Sequence, residues 1–175
     1  YLKMYNSFEL IERLKKENFN ITVHQHDALF TVQDSKKLRG EIEGAHSKNL
    51  FLKNKKNEFF LLTCEEADKI DLKKISKSLG LGNTSFAREE YLDKYLKIKP
   101  GSVSPFALLN DEGGQVDFYL EQTLYESEFV NFHPLINTST ITIETKMFIQ
   151  FMIENNKKTH IFSSAEEKIL KTYGK

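Results

Sequence analysis

The sequence is short of several features that define common protein classes. It contains one cysteine, Cys64, and no tryptophan, and its 25 basic side chains balance its 25 acidic ones. A single cysteine excludes an internal disulfide framework and fits a reducing compartment, which we expect to be the cytosol. The balanced charge provides no global basic field, so binding to bulk nucleic acid through net charge is not supported. The balanced composition does not exclude a local basic patch.

Long apolar runs and several catalytic motifs are also missing. No stretch approaches the ~20 apolar residues that a membrane-spanning helix needs. There is no Gly-x-Ser-x-Gly elbow for a nucleophilic serine. There is also no Walker loop and no dinucleotide fingerprint, so nucleotide hydrolysis is unsupported. Tyr1-Leu2-Lys3, which precede Met4, show no signal-peptide pattern.

Helical and extended patterns alternate irregularly along the chain. Its 175 residues, 39% of them hydrophobic, are enough for one well-buried domain. The pattern predicts helices over 6–18, 34–38, 72–79, 88–96, 145–155 and 164–173, and strands over 21–26, 46–52, 58–63, 85–87, 116–120, 138–144 and 160–162, with another strand ending at Leu109. Asn6 and Asp71 are expected to cap two of these helices, and the first helix has an apolar stripe of Phe8, Ile11 and Leu14 with Leu10 beside them. We therefore expect an α/β (α+β) fold, a mixed β-sheet wrapped by helices. The domain is expected over residues 4–163, followed by a polar, helical C-terminal extension over 164–175.

The centre of the pattern is a hairpin. An apolar run that begins with His46-Ser47-Lys48-Asn49 is followed by a polar turn, Lys53 to Asn57, and by a second apolar run. Side chains alternate between the two faces of a strand, so Lys48, Leu50 and Leu52 should share one face and Asn49 the other. From the residues alone, Lys48 either extends into solvent or reaches a pocket at the rim of the sheet.

Other chemistry-bearing residues are less informative by themselves. His24 and His26 would lie on one face of a strand at a spacing that metals can use, but two ligands do not make a site. Cys64 lies inside an apolar strand and is interpreted as a buried structural residue. The Gly101–Pro105 segment reads as a stiff loop that allows close backbone approach at its glycine.

An ordered set of short motifs resembles the YbaK/ProX family of aminoacyl-tRNA editing domains, and within it the freestanding alanyl-tRNA(Pro) deacylases. The motifs follow the family order over roughly residues 6–162. They are Phe30-Thr31-Val32, Gly44 to Leu52, Asp71-Leu72-Lys73-Lys74, Ser85-Phe86-Ala87, Pro100 to Phe106, Leu109-Asn110-Asp111, Phe132-His133-Pro134, and Asn137-Thr138 with Thr140.

The resemblance implies hydrolysis of the ester that joins a mischarged amino acid to the 3′-terminal adenosine of tRNA(Pro). It implies that water attacks with help from the substrate, without a metal, a cofactor or a covalent nucleophile. Lys48 matches the essential lysine of the family. The residues implied to line or support the substrate pocket are Thr31, Asn49, Gly101, Ser102, Val103, Ser104, Pro105 and His133. The Gly101–Pro105 segment matches the GXXXP loop of the family, and Lys48 is expected to face its backbone.

The implied partners are the acceptor end of tRNA(Pro), prolyl-tRNA synthetase and elongation factor Tu. The expected basic patch for the acceptor stem consists of Lys53, Lys55, Lys56, Lys73 and Lys74, although any one of them can equally be a solvated lysine. Two positions depart from the family pattern: Phe106-Ala107 replaces a more usual Phe-Gly, and Glu121 replaces a common aspartate.

Three alternatives remain open from the sequence. The same fold could edit another small residue, as Cys-tRNA(Pro) or Ser-tRNA. It could be a non-catalytic module that binds tRNA or a synthetase. The chain could also be a domain of a larger prolyl-tRNA synthetase.

Overall fold

The computed structural model describes residues 4–28, 33 and 42–175. Its α-helices are α1 (Ser7–Lys16), α2 (Leu72–Ser78), α3 (Glu89–Tyr91), α4 (Gln122–Glu126) and α5 (Thr145–Glu154). A π-helical turn (Leu92–Leu96) continues α3, and a 3₁₀ helix spans Pro105–Asn110. The strands are β1 (Ile21–Gln25), β2 (Ala45–Asn54), β3 (Phe59–Glu65), β4 (Thr84–Phe86), β5 (Val116–Glu121), β6 (Phe129–Phe132), β7 (Ser139–Glu144), β8 (Thr159–Ser163) and β9 (Lys168–Tyr173).

Within these ranges the strands form one mixed sheet of nine strands. Its order is β1-β7-β6-β2-β3-β5-β8-β9, and β4 pairs with β2 off this path. The pairs β2–β6, β3–β5 and β5–β8 are parallel, and the remaining pairs are antiparallel. The predicted mixed sheet with flanking helices is therefore confirmed.

The strand β2 connects the two halves of the sheet. Its first residues pair with β6, whereas residues 47–53 pair with β3. The predicted hairpin is confirmed, and Asn54 shapes its turn, because its Oδ1 accepts from the N–H groups of Lys56 and Glu58, each at 3.0 Å. An asparagine side chain that satisfies backbone donors in this way stabilises a tight turn.

Apolar side chains on the two sides of the sheet form two clusters. The first cluster holds Phe51, Leu61 and Phe118 together with α5 and the 3₁₀ helix. At its centre Phe106 packs edge-on against Phe132, Phe148 and Phe151 at centroid distances of 5.7–6.0 Å. The second cluster lies under α2 and consists of Leu52, Phe60, Leu62, Ile75, Leu79, Leu81, Tyr119 and Phe162, with Leu50 packed against it.

Two helix starts are confirmed at the level of hydrogen bonds. The Oδ1 of Asn6 accepts from Glu9 N–H at 2.9 Å, and the Oδ1 of Asp71 accepts from Lys74 N–H at 3.2 Å. Each satisfies a donor that the first turn of a helix leaves unpaired.

Three expectations about local structure are wrong. The segment before Leu109 is a 3₁₀ helix, begun by Ser104, whose Oγ accepts from Phe106 N–H at 3.3 Å, with Pro105 in its first turn. The C-terminal segment is the strand β9, paired antiparallel with β8, and not a helical extension. Phe8, expected on the buried stripe of α1, is 72% exposed, whereas Leu10 and Leu14 are buried. The helix expected over 34–38 lies outside the described residues.

Candidate active site

The side of the sheet opposite the first cluster carries polar residues around the first half of β2. Ala45 and Val130 both pack in the first cluster, so their neighbours His46 and Asn131, which are paired with each other, point to the opposite side. The same alternation places further residues of β2, β3 and β5 there and, continued by one residue past the ends of β3 and β6, also Glu66 and His133. We call this set the polar face: His46, Lys48, Cys64, Glu66, Glu121, Asn131 and His133.

Lys48 is half-buried on the polar face. Its ammonium donates a hydrogen bond to the backbone carbonyl of Asp68. A lysine ammonium carries three N–H donors, so two remain for a ligand. Lys48 is therefore held in place and is not a lysine extended into solvent.

Directly across from Lys48 on β3 lies Cys64, which is fully buried. Burial raises the pKa of the Cys64 thiol to about 12, although the nearby Lys48 charge lowers it. A thiol in this state is neither a nucleophile nor a metal ligand at neutral pH, because both roles need the thiolate. The interpretation of Cys64 as a buried structural residue is confirmed by its environment.

Several carboxylates lie close to Lys48 and Cys64. Burial and the charges of Glu121 and Glu65 raise the pKa of Asp68, which Lys48 lowers. The Oδ2 of Asp68 is buried and has no hydrogen-bond partner among the described residues. Glu121 is engaged, since it accepts from Thr123 N–H at 2.6 Å and from Ser164 Oγ at 3.0 Å. The Glu121 side chain thus ties the start of α4 to the residue after β8.

The start of β2 is anchored by Asn131. Its Nδ2 donates to the carbonyls of Glu43 (2.8 Å) and Ala45 (3.2 Å), and its Oδ1 accepts from Thr142 Oγ1 at 2.5 Å. Ser47 Oγ donates to the Asn131 carbonyl at 2.9 Å. Because Asn131 is only 3% exposed, this network is protected from water and fixes the backbone that carries Lys48.

His133 follows Asn131 by two residues and lies on the same face. Its Nδ1 is 2.9 Å from the carbonyl of Ser139. Burial lowers the pKa of His133, as does the nearby His26, whereas the Ser139 carbonyl and Glu66 raise it. The ring centroids of His26 and His133 are 6.1 Å apart. The structure thus gathers Lys48 and His133, which lie far apart in the sequence, on one face of neighbouring strands.

The other predicted pocket residues lie elsewhere. Asn49 Oδ1 accepts from Thr63 Oγ1 at 2.7 Å on the opposite side of β2 from Lys48. In the Gly101–Pro105 loop, Val103 packs against the first cluster, Ser102, Ser104 and Pro105 are buried, and Gly101 has a φ of +86°. No hydrogen bond or ion pair among the described residues joins Lys48 to this loop, and their apolar neighbours belong to different clusters. That Lys48 faces the loop stays a prediction, and Thr31 lies outside the described residues.

The five lysines of the expected basic patch fall into two groups. Lys53, Lys55 and Lys56 lie at the hairpin turn, where Lys53 Nζ donates to Asn57 Oδ1 at 3.0 Å and stands 5.8 Å above the Tyr91 ring. Lys73 and Lys74 lie on α2, and Lys74 pairs with Glu167 at 2.7 Å. Asn54 Nδ2, which donates to the Leu81 carbonyl at 3.0 Å, joins the turn to the segment that follows α2.

His24 of β1 and His26, which directly follows that strand, are hydrogen-bonded to threonines of β7. His24 Nε2 lies 3.2 Å from Thr142 Oγ1, and His26 Nε2 lies 2.8 Å from Thr140 Oγ1. Within the described part of the chain, no group of three or more His, Cys, Asp or Glu side chains could hold a metal ion. Likewise, none of the helices described there is long and apolar enough to cross a membrane.

Sequence reasoning missed Asn131, Glu66 and Asp68. Glu66 and Asp68 directly follow the apolar run of β3, a position typical of site residues at strand ends, and this signal could have found them. Asn131 precedes the Phe-His-Pro motif by one residue. Its role depends on the pairing of β6 with β2, which no local pattern indicates.

Known proteins are similar to most of this chain. A family model for the aminoacyl-tRNA editing domain matches residues 26–151. The Prolyl-tRNA editing protein ProX of Acetoanaerobium sticklandii is 35% identical over 135 residues, which cover 77% of this chain and 82% of that protein. The Prolyl-tRNA synthetase associated domain-containing protein 1 of Bos taurus is 36% identical over 148 residues, 82% of this chain and 86% of that protein.

A solved structure shows the same fold at low identity. It is described as a candidate trans-editing enzyme for prolyl tRNA synthetase, with a TM-score of 0.64 and 18% identity, and the match covers 84% of this chain and 92% of that one. The resemblance to the YbaK/ProX family that the sequence motifs indicate is confirmed by these matches. The chain therefore belongs to the aminoacyl-tRNA editing domain family.

Proposed function

We propose that this protein hydrolyses the aminoacyl ester of mischarged tRNA(Pro), acting in trans, with alanyl-tRNA(Pro) as its substrate. The observation that carries the proposal is Lys48, half-buried and anchored on a polar face with two donors available, in a chain that belongs to an editing family. Relatives named for prolyl-tRNA editing and for association with prolyl-tRNA synthetase support tRNA(Pro) as the carrier.

Hydrolysis of an aminoacyl ester needs only a few contributions from the protein. An aminoacyl ester is already activated, so the site needs to position the ester, admit a water molecule and stabilise the negative charge that develops on the carbonyl oxygen. Lys48 supplies a positive charge, either to that oxygen or to the terminal phosphate. We assign His133 to the wall of the substrate pocket beside Lys48. Asn49, Thr31 and the backbone of Gly101–Pro105 are proposed to line or support that pocket.

Selectivity for alanine has a physical reason. A synthetase site shaped for proline cannot firmly reject a smaller side chain, because a missing methylene group changes binding by only ~1–3 kcal/mol. A second pocket that admits alanine and excludes the proline ring completes the discrimination. The lysines at the hairpin turn and on α2 are proposed contacts for the acceptor stem, and prolyl-tRNA synthetase and elongation factor Tu are proposed partners.

The first prediction tests the function directly. Purified protein should release alanine from Ala-tRNA(Pro) well above the spontaneous rate, and Lys48→Ala should lower kcat/KM by roughly 10²–10³-fold, the usual cost of removing a charge-stabilising donor. The measurement is deacylation of tRNA labelled at its 3′ end. Lys15→Ala is a matched control, because Lys15 is an exposed lysine on α1.

Each possible outcome decides a different part of the proposal. Full activity of Lys48→Ala, with a native circular dichroism spectrum, overturns the role of Lys48. A panel containing Cys-tRNA(Pro) and Ser-tRNA tests the amino acid, and equal or greater activity on cysteine overturns the choice of alanine. Tight tRNA binding without hydrolysis of any ester rules out the enzyme and favours a binding module.

A further inference from the structure

We propose that His133 and Glu66 form the subsite for the α-ammonium group of the aminoacyl ester, and that Lys48 faces its carbonyl oxygen. The inference rests on the proposed function and adds to it the orientation of the substrate on the polar face. It follows from the tautomer of His133 and from the opposite charges of Glu66 and Lys48, which lie at the two ends of the polar face.

The hydrogen bond to Ser139 fixes the tautomer of His133. A backbone carbonyl can only accept, so Nδ1 must carry the proton that it donates over 2.9 Å. The neutral ring then has its lone pair on Nε2, which makes no hydrogen bond to any described residue. An α-ammonium group has only donors, so it needs acceptors of this kind.

Two neighbours set the electrostatics at His133. Glu66, only 6% exposed, is held beside His46 by its N–H, which donates to the His46 carbonyl at 2.8 Å, and its charge acts on the His133 ring. Burial is the largest influence on the pKa of His133 and lowers it, and the nearby His26 lowers it as well, so both favour the neutral ring. A neutral acceptor beside a carboxylate attracts a cation, whereas a protonated ring would repel it.

The other end of the polar face has the opposite preference. Lys48 lies two residues after His46 on the same face of β2, with its ammonium held at the carbonyl of Asp68. A fixed cation repels an α-ammonium group and stabilises a developing oxyanion. Only one orientation of the ester therefore satisfies both ends: ammonium towards His133 and Glu66, carbonyl oxygen towards Lys48.

The second prediction compares two esters that differ only at the α position. Deamination of Ala-tRNA(Pro) gives lactyl-tRNA(Pro), in which a neutral hydroxyl replaces the ammonium. Relative to their spontaneous rates, the wild-type protein should prefer the alanyl ester at least about tenfold, the size expected for a hydrogen bond to a charged group. Glu66→Gln and His133→Asn should each lower kcat/KM for the alanyl ester by roughly tenfold more than for the lactyl ester.

The variants are chosen to separate recognition from folding. In His133→Asn the side-chain amide can still donate to Ser139, but the acceptor at the Nε2 position is lost. His133→Gln places an amide oxygen near that position and should recover part of the preference for the alanyl ester. Lactyl-tRNA(Pro) hydrolysis by each variant reports directly that the site has folded.

Contrary results are distinct from a failure of the proposed function. Equal losses on both esters in Glu66→Gln and His133→Asn overturn the ammonium subsite and indicate a structural role. A wild-type protein that hydrolyses both esters without preference overturns it as well. If the wild type hydrolyses neither ester, the proposed function itself fails.

Discussion

At the scale of single residues, the pairing of Lys48 with Cys64 places a neutral thiol, and not a thiolate, opposite the lysine. The thiol is fully buried and lies directly opposite the lysine on the neighbouring strand. A thiolate there would neutralise the ammonium that we assign to the reaction. Burial, which raises the pKa of Cys64 to about 12, prevents this at neutral pH.

The third prediction concerns the alkaline stability that follows from Cys64. In the unfolded chain the thiol ionises above its ordinary pKa of 9.0, whereas in the folded protein it stays protonated until about 12. The unfolded state is therefore favoured as the pH rises through this window, by at most ~1.4 kcal/mol per pH unit. Between pH 8.5 and 10, wild type should lose about 1 kcal/mol more stability than Cys64→Ala.

Urea denaturation of the two proteins at both pH values measures this difference. The comparison uses the change with pH and not the absolute stability, because Cys64→Ala also removes packed atoms. Burial raises the pKa of Tyr119 to about 12 as well, so above pH 10 both proteins should lose stability together. Identical pH dependence of the two proteins up to pH 10 would contradict the assigned state of Cys64.

Individual residues were predictable where the cause is local. Alternation along β2 correctly placed Lys48 with Leu50 and Leu52, and the caps Asn6 and Asp71 follow from spacing alone. The polar neighbours of Lys48 were not predictable in the same way. They come from β3 and β6, and which strand lies beside β2 is decided by the packing of the whole sheet.

At the scale of elements, α1 shows how position on a helix decides burial. Leu10 and Leu14 are four residues apart, fully buried and packed in the first cluster. Phe8 belongs to the apolar pattern but lies off this line and is 72% exposed. The apolar stripe predicted the helix correctly. It also predicted that Phe8 is buried, but no part of the described fold covers its ring.

The fourth prediction compares Phe8→Ala with Leu10→Ala on the same helix. Truncating exposed Phe8 should change the free energy of unfolding by no more than ~0.5 kcal/mol, as expected for surface substitutions. Truncating Leu10, which leaves a cavity in the core, should cost ~2–5 kcal/mol. Denaturant unfolding measures both. A cost above 2 kcal/mol for Phe8→Ala would show that its ring is covered in solution.

The two mispredicted elements have different causes. In the segment from Pro105 to Asn110, a helix start at Ser104-Pro105 outweighed an apolar run that resembles a buried strand. In β9, polar residues suggested a solvated helix, but Ile169, Thr172 and Tyr173 are β-prone and β8 offers its edge. An edge strand is exposed on both faces, so its pattern carries no clear period of two.

At the scale of the whole molecule, the two halves of the sheet are joined where Gly44 leads into β2. Gly44 has a φ of +94°, and a Cβ placed on it would lie 2.8 Å from both the Cβ and the carbonyl oxygen of Phe129 in β6. Glycine is needed here both for the backbone conformation and for the close approach of the two strands. The family motif that begins at Gly44 thus includes a structural requirement of the junction.

The fifth prediction tests that junction with a matched pair of substitutions. Gly44→Ala and Gly114→Ala both place a side chain at positive φ, which costs ~1–2 kcal/mol, but the Cβ of residue 114 meets no atom within 4 Å. Gly44→Ala should cost ~1–3 kcal/mol more, because β6 must move away from β2. Deacylation should also fall only in Gly44→Ala, since the movement displaces His133 relative to Lys48.

Thermal and chemical unfolding of the two variants gives the stability difference, and the alanyl ester assay gives the activity. Equal stabilities would show that the junction relaxes without cost. Equal activities would show that the polar face does not depend on the β2–β6 contact.

The anchoring of β2 at both ends also limits how the gene can change. One end of β2 is held at Ala45, by Asn131, and the other at Asn54, by Leu81. Because a strand presents alternate residues to alternate faces, the insertion or deletion of one residue between these ends would exchange Lys48 for Ser47 or Asn49 on the polar face. A substitution within this segment changes one side chain and leaves the alternation of all the others intact. An insertion or deletion shifts every later side chain of the strand to the other face. We therefore expect length differences between related proteins to occur in turns such as 112–115.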